Sequence, residues 1–349
     1  MTSVHWLLGL PFDALGLEGA RSRIFAAVES RGQLVFATPN VNFLAMAHRD
    51  PRFREDVLRT DLSLADGKPV VWLGRLLGIP FVERVAGSDL IESLMHEPGP
   101  RPLKVYFFGG EEGAAAAASA ALNRKGGGLI GVGSCYPGFV DLDQMSGTDI
   151  IDDINRSGAD LLIVSLGAAK GHRWIQSNRH RLSVPVISHL GAVVNFVAGR
   201  MRRAPRFMQR TGLEWLWRIL VEPKLVTRYA RDAGFLLSAM VREVLPRLVE
   251  RFLPSSEPRL RTDASSDGKV SVAVELRLDA GAVAQLEKSG AVRVALQNVR
   301  RLDSTGVGWV YARLFRFAGT EPLVDCDSVS TATLAGWGLA AGGLPQDAR

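Results

Sequence analysis

One threonine, two asparagines and one aspartate carry the chain's clearest chemical signal. Thr38, Asn40 and Asn42 follow the strand-like run 34–37, and Asp66-Gly67 follows a second short apolar run. Pro39 biases Thr38 away from the helical region, so a strand is expected to end there. Gly67 permits a sharp turn that leaves Asp66 at an exposed edge. Polar side chains after one strand and a carboxylate after the next are how open α/β sheets build ligand sites. A carboxylate so placed can take the proton of an attacking hydroxyl, even though an aspartate ordinarily titrates near pH ~4. The same residues also suit two ordinary turns, with Asn40 capping one helix and Asp66 starting another. Arg84, within 83–89 (ERVAGSD), can grip a phosphate or carboxylate with two parallel hydrogen bonds, or form a surface ion pair with Glu83 or Asp89.

These residues need a scaffold, and the pattern around them supplies one. A first strand is expected over 4–10, with helices over 18–30, 50–60 and 88–96. Asp50-Pro51 fits a helix cap followed by proline at the first helical position, whereas Ser88 and Asp89 compete for the cap of the third helix. Strands are expected over 104–108, 129–134, 160–166 and 185–190, separated by helices over about 112–122 and 150–157. Strands alternating with helices imply a mostly parallel sheet. Gly109-Gly110 stands between a strand and a helix, a geometry that can offer backbone N–H groups to phosphate. It lacks the GxGxxG spacing, and Glu111 and Glu112 would repel a diphosphate.

Composition narrows the function classes. A chain of 349 residues is long enough for two domains, and a hydrophobic fraction of 47% supports real cores. Cys135 and Cys326 stand far apart, which suits a reducing cytosol and gives neither a disulfide framework nor a zinc motif. No stretch reaches the roughly 18 uninterrupted apolar residues of a membrane span, and the N-terminus does not read as a signal peptide. The net charge is +6 with pI about 9.6, which points to an anionic partner. No nucleic-acid recognition motif accompanies that charge, so nucleic acid is not expected as a partner. Much of it sits over 200–231, where eight arginines and Lys224 face only Glu214 and Glu222, a local excess of +7. Trp215, Leu216, Ile219 and Leu220 recur there at helical spacing. This is either a helix with solvated arginines opposite its packed face or a basic mouth for diphosphates and acidic headgroups.

Taken together, TPN-x-N at 38–42, L-x-DG-x-x-VVW at 64–72 and RV-x-G-x-D at 84–89 resemble the WecG/TagA/CpsF family of bacterial glycosyltransferases. Segment 166–175 (LGAAKGHRWI) resembles that family's G-x-P-K-Q-E-x-W-[IL], keeping Gly167, Lys170, Trp174 and Ile175. The pattern's proline, glutamine and glutamate are here Ala169, Gly171 and His172; the glutamine position is associated with nucleotide binding, and His172 reads as a loop residue or as a replacement for a lost hydrogen bond. Segment 191–231 resembles the family's closing pattern, from Gly191 and Asn195-Phe196 through LEW at 213–215 to Glu222-Pro223.

The resemblance implies a Rossmann-like α/β domain over 1–232 with basic appendage helices. It implies inverting transfer from a UDP-sugar, often of N-acetylmannosamine type, to a polyprenyl-diphosphate-linked acceptor for exopolysaccharide, capsule or wall polymer. Asp66 would be the base, Thr38 and Asn40 catalytic positioning residues, and Asn42, Arg84, Lys170, Asn195, Arg218, Arg228 and Arg231 substrate-binding residues. No convincing DxD motif is found, so no metal or other cofactor is expected. The expected location is cytoplasmic, peripheral to the inner face of the cell membrane, with an anionic membrane surface as one partner and a homo-oligomer as another. The altered 169–172 segment also fits a non-catalytic scaffold that recruits partners.

Beyond residue 232 the pattern changes. Segment 234–253 forms one helical apolar stripe that Pro246 should kink or divide, suited either to a membrane interface or to packing on a further domain. Segment 254–268 is polar and rich in breakers, so 233–268 is read as helix and linker. Residues 269–349 alternate short strands and helices around Leu302-Asp303-Ser304-Thr305-Gly306 and close on Gly336-Trp337-Gly338-Leu339. This resembles a STAS domain, in which the serine after the aspartate can be a phosphorylated switch. That resemblance makes Ser304 a candidate regulatory phosphorylation site and implies a protein partner. Asp303 or Ser304 also suits a plain helix cap.

Overall fold

The computed structural model describes residues 4–96, 99–201, 204–205, 208, 213–252, 258–264, 270–316 and 323–339. Two compact units interleave along the chain: 15–71 with 82–233, and 1–14 with 72–81 and 234–349. The chain opens on an antiparallel hairpin of β1 (Val4–Leu7) and β2 (Leu10–Asp13), where the sequence predicts one strand. It turns at Leu8 and Gly9, whose φ values of 46° and 87° form the left-handed pair that suits a two-residue hairpin.

The first unit follows with α1 (Leu17–Ser30), β3 (Leu34–Ala37), α2 (Val41–Arg49), α3 (Pro51–Leu58), β4 (Leu62–Ser63) and α4 (Lys68–Leu76), whose last residues belong to the second unit. Next come α5 (Gly87–His96), β5 (Leu103–Gly109), α6 (Ala114–Lys125), β6 (Leu129–Cys135) and α7 (Thr148–Arg156). Then follow β7 (Leu161–Ser165), α8 (Ala168–Asn178), β8 (Val186–His189) and α9 (Val193–Val197). The six strands order as β4-β3-β8-β7-β5-β6, every pairing parallel.

Parallel strands must be covered on both faces, and two apolar cores do this. Phe36, Phe107 and Ile163 join one core with Ile24 and Leu94, while their neighbours Val35, Phe108 and Leu162 join the other with Trp174 and Ile187. The period of two along each strand makes that division. The unit's last described helices are α10 (Glu214–Val221) and the start of α11 (Val226–Ala239).

In the second unit α11 runs into a π-helical turn over Met240–Val244 and then α12 (Leu245–Phe252). Pro246 supplies the cause, since it lacks the N–H that an α-helix would direct at the Arg242 carbonyl. The sheet of this unit orders as β12-β11-β10-β9, with β9 (Arg259–Ala264) antiparallel to β10 (Val270–Leu278). Arg259–Ala264 is therefore a strand where composition suggested linker. After β10 come α13 (Ala280–Ser289), β11 (Arg293–Leu302), α14 (Ser304–Tyr311), β12 (Leu323–Cys326) and α15 (Ser328–Gly336). The β1–β2 hairpin is built into this unit. The Trp6 indole donates to the Trp337 carbonyl at 2.8 Å, and Trp6 and Tyr311 rings lie 5.3 Å apart. Arg316 meets both oxygens of Asp13 at 2.9 and 2.8 Å, with the two side chains 5% and 2% exposed. A Cβ on Gly308 would lie 2.1 Å from the Val4 carbonyl, so only glycine lets α14 approach the hairpin this closely.

Candidate active site

The site forms at the carboxyl edge of the parallel sheet, where doubly wound folds bind ligands. Three backbone bonds fix the Asp66 turn. Leu64 N–H donates to the Ala37 carbonyl at 2.9 Å, Asp66 N–H to Pro39 at 3.0 Å, and Val85 N–H to Ala65 at 2.9 Å. These tie the exits of β3 and β4 to the segment carrying Arg84. Gly67 takes φ 94°, the left-handed conformation that releases the chain into α4.

Asn40 has two roles at once. Its side-chain oxygen accepts from Phe43 N–H at 3.2 Å, capping α2, and its side chain also favours the ionised form of Asp66. Arg84 donates to Asp89 at 2.6 Å and to Glu214 on α10, and is 15% exposed. The ion-pair alternative for Arg84 thus exists alongside its position at the site, but through half-enclosed partners. Asp89 lies inside α5, and Gly87 begins that helix, so neither Ser88 nor Asp89 is its cap. Arg218 stands one turn beyond Glu214 on α10. Burial pushes the Asp66 carboxyl up to about 6, opposed by the Arg84 and Arg218 charges and the Asn40 side chain, while Glu214 adds to the rise. A carboxylate with that pKa is a competent base near neutral pH.

The other sequence-derived residues occupy several places. Thr38 is buried beside Gly87, whose absent side chain leaves room for Leu190; a Cβ there would lie 2.5 Å from Leu190 and 3.5 Å from the Thr38 hydroxyl. Asn42 sits inside α2 and donates to Met46 Sδ at 3.2 Å. Lys170 donates to the Val140 carbonyl at 2.6 Å. Asn195 lies in α9, with its side-chain oxygen buried and without a hydrogen-bond partner among the described residues, and its carbonyl accepting from Arg200 N–H at 2.9 Å. Arg228 lies 5.1 Å from the Tyr229 ring centre, and Arg231 donates to Thr227 at 3.3 Å; both counter the burial-raised pKa of Asp232. The largest charges bearing on Asp66 among the described residues are Arg84, Arg218 and Glu214. Arg202, Arg203, Arg206 and Arg210 of the basic run lie outside the described residues. Ser304, in the second unit, is the first residue of α14, and the cap is Asp303, which accepts from Thr305 and Gly306 N–H at 2.8 Å each.

Sequence reading missed Glu214 as the arginine's partner, although it stands in the quoted LEW triplet. It also misplaced His172, which is a buried α8 residue rather than a loop residue. Its ring packs edge-on to Phe43 and Phe53 at 5.4 and 5.9 Å and lies 5.5 Å from His189. Burial holds both imidazoles below their usual range, His189 at about 4. A Cβ on Gly171 would meet the His189 ring at 2.2 Å, so His189 occupies the space that a side chain at 171 would need. The Gly109-Gly110 turn is likewise filled from within: Gly110 N–H donates to the Ser165 carbonyl at 2.7 Å, and a Cβ on Gly109 would lie 2.6 Å from that oxygen.

An all-parallel sheet with a buried carboxyl and nearby arginine charges at its carboxyl edge has the parts from which a group-transfer site can be built. The family model of the glycosyl transferase WecG/TagA/CpsF family matches residues 5–248, and the chain belongs to that family. An N-acetylglucosaminyldiphosphoundecaprenol N-acetyl-β-D-mannosaminyltransferase of Bacillus spizizenii is 32% identical over 190 residues, covering 54% of this chain and 71% of the relative. The protein of the same description from Bacillus subtilis strain 168 is 25% identical over 190 residues, covering 53% and 70%.

Proposed function

We propose that the chain transfers a sugar, with inversion, from a UDP-sugar of N-acetylmannosamine type to a polyprenyl-diphosphate-linked saccharide. The observation that carries this reading is the Asp66 carboxyl, with pKa about 6, set between Asn40 and the Arg84 and Arg218 charges. The acceptor hydroxyl oxygen attacks C1 of the sugar and its proton passes to Asp66. The C1–O bond to UDP breaks as the new C–O bond forms, and UDP leaves with the bonding electrons. Arg84 and Arg218 balance the charge that grows on the leaving diphosphate. Thr38 and Asn40 position the reacting groups. Asn42, Lys170, Asn195, Arg228 and Arg231 contribute to substrate binding outside that centre.

Family membership and the two mannosaminyltransferase relatives support the donor and acceptor classes. No described helix is long and apolar enough to cross a membrane. An anionic membrane surface is the proposed source of the acceptor. Trp215, Leu220 and Val221 are exposed on α10 beside Arg218, a pairing suited to an acidic lipid interface. The C-terminal sheet and helices are read as a STAS-like module that binds a protein partner, with Ser304 as its modification point.

The test is UDP release from a panel of UDP-sugars, with and without a lipid-diphosphate-linked N-acetylglucosamine acceptor. Acceptor-dependent release with one donor is expected. Folded protein that releases no UDP with any donor would leave the scaffold reading in its place.

A further inference from the structure

Phe139, in the loop after β6, is 97% exposed, more than any other large apolar side chain among the described residues. The loop beneath it is held in place. Val140 packs against the core that includes Trp174, and its carbonyl accepts from Lys170 Nζ at 2.6 Å. Gly138 takes φ 77°, the left-handed conformation that turns the chain just ahead of Phe139. The Tyr136 ring stands 6.5 Å away and edge-on, so both faces of the Phe139 ring stay open. A single exposed apolar side chain is ordinary; the place of this one on the sheet is not.

The strand order β4-β3-β8-β7-β5-β6 makes β4 and β6 the two edges. Asp66 follows β4, so the rest of the carboxyl edge extends from it in one direction only, over β3, β8, β7 and β5 towards the Phe139 loop. Lys170 lies in the first turn of α8, which begins after β7, so its bond to Val140 spans the intervening β5 and ties the loop to that edge. From β4 to β7 is three strand spacings, about 14 Å. Small residues floor the way between. Ser165 ends β7, and its hydroxyl donates to the Gly191 carbonyl beyond β8 at 2.7 Å. A Cβ on Gly167 would meet no described atom within 4 Å, so the edge is open there.

In the proposed transfer the sugar carbon reacts beside Asp66 and the diphosphate faces Arg84 and Arg218. The nucleoside then continues away from β4 along this open edge and brings its base to the rim where Phe139 stands. A flat heteroaromatic base suits an exposed phenyl face. We propose that Phe139 binds the nucleobase of the donor by stacking, on a loop that Lys170 and Val140 hold at the far end of the site. This assignment rests on the reading of the donor as a UDP-sugar.

Calorimetric titration of the full chain with UDP, and with inorganic pyrophosphate as the probe that lacks a base, tests it. Phe139→Ala should weaken UDP by about tenfold, within the range of one aromatic–base stack, and leave pyrophosphate affinity unchanged. Phe139→Tyr keeps the ring and should bind UDP within about twofold of wild type. UDP bound equally by wild type and Phe139→Ala would overturn the assignment and leave the donor class standing. A parallel loss of pyrophosphate affinity would make the effect structural and overturn it as well. A wild-type chain that binds no UDP would overturn the donor reading and this one with it. Phe139→Ala that keeps its UDP affinity but loses binding to phosphatidylglycerol vesicles would give the ring to lipid instead.

Discussion

The charges around Asp66 make opposite predictions for two neighbouring substitutions. With the carboxyl at about 6, roughly one in ten is protonated at pH 7. The base acts as the carboxylate, so kcat/KM should fall as pH drops through about 6. Arg84 is the largest charge holding that value down, and Glu214 pushes it up. Arg84→Gln removes a favourable charge and also frees Glu214 from its ion pair, so both changes raise the pKa. A rise of about one unit, the low end for a nearby opposite charge, takes the acidic limb to about 7 and leaves roughly half the carboxyl protonated there. Glu214→Gln removes a like charge and should move the limb down by about half a unit. The assay is acceptor-dependent UDP release across pH 5–9, read as kcat/KM because that reports the free enzyme. The position of the limb is the readout, since Arg84→Gln should also lower the plateau by weakening diphosphate binding. Limbs that move in the same direction, or stay with the wild type, would refute the electrostatic account.

Other outcomes follow from packing. Gly171→Gln should destabilise the first unit by about 1–3 kcal/mol in thermal unfolding, because its Cβ would meet the buried His189 ring; adding His189→Gly should recover much of the loss. Asp13→Ala leaves Arg316 buried without its carboxylate and should cost about 3–5 kcal/mol, seen as a lowered unfolding transition of the second unit. Excess EDTA should leave the transfer rate unchanged in a UDP-release assay; a rate lost to EDTA and restored by magnesium would contradict metal-independent chemistry.

The parallel sheet was legible because its strands are short apolar runs between helical ones. The turns that carry Thr38, Asn40 and Asp66 were legible because proline and glycine mark them. What sequence could not show was set by long-range packing. Arg84 and Glu214 are 130 residues apart along the chain, and no local pattern pairs them. His172 looked like a loop residue because its partners, Phe43, Phe53 and His189, come from two distant helices and a strand. The hairpin 4–13 resembled one strand because Leu8 must adopt a positive φ that its type does not advertise. The strand at 259–264 was hidden by its charged, alternating edge composition.

The central claim is that Asp66 accepts the acceptor's proton, and Asp66→Asn tests it most directly. The substitution keeps the side chain's shape and removes its basicity. Donor binding by calorimetry and single-turnover transfer should be measured on the same preparation. The account predicts donor affinity within a few-fold of wild type and transfer slowed by about a hundredfold or more. Transfer at the wild-type rate in a folded Asp66→Asn chain would contradict it.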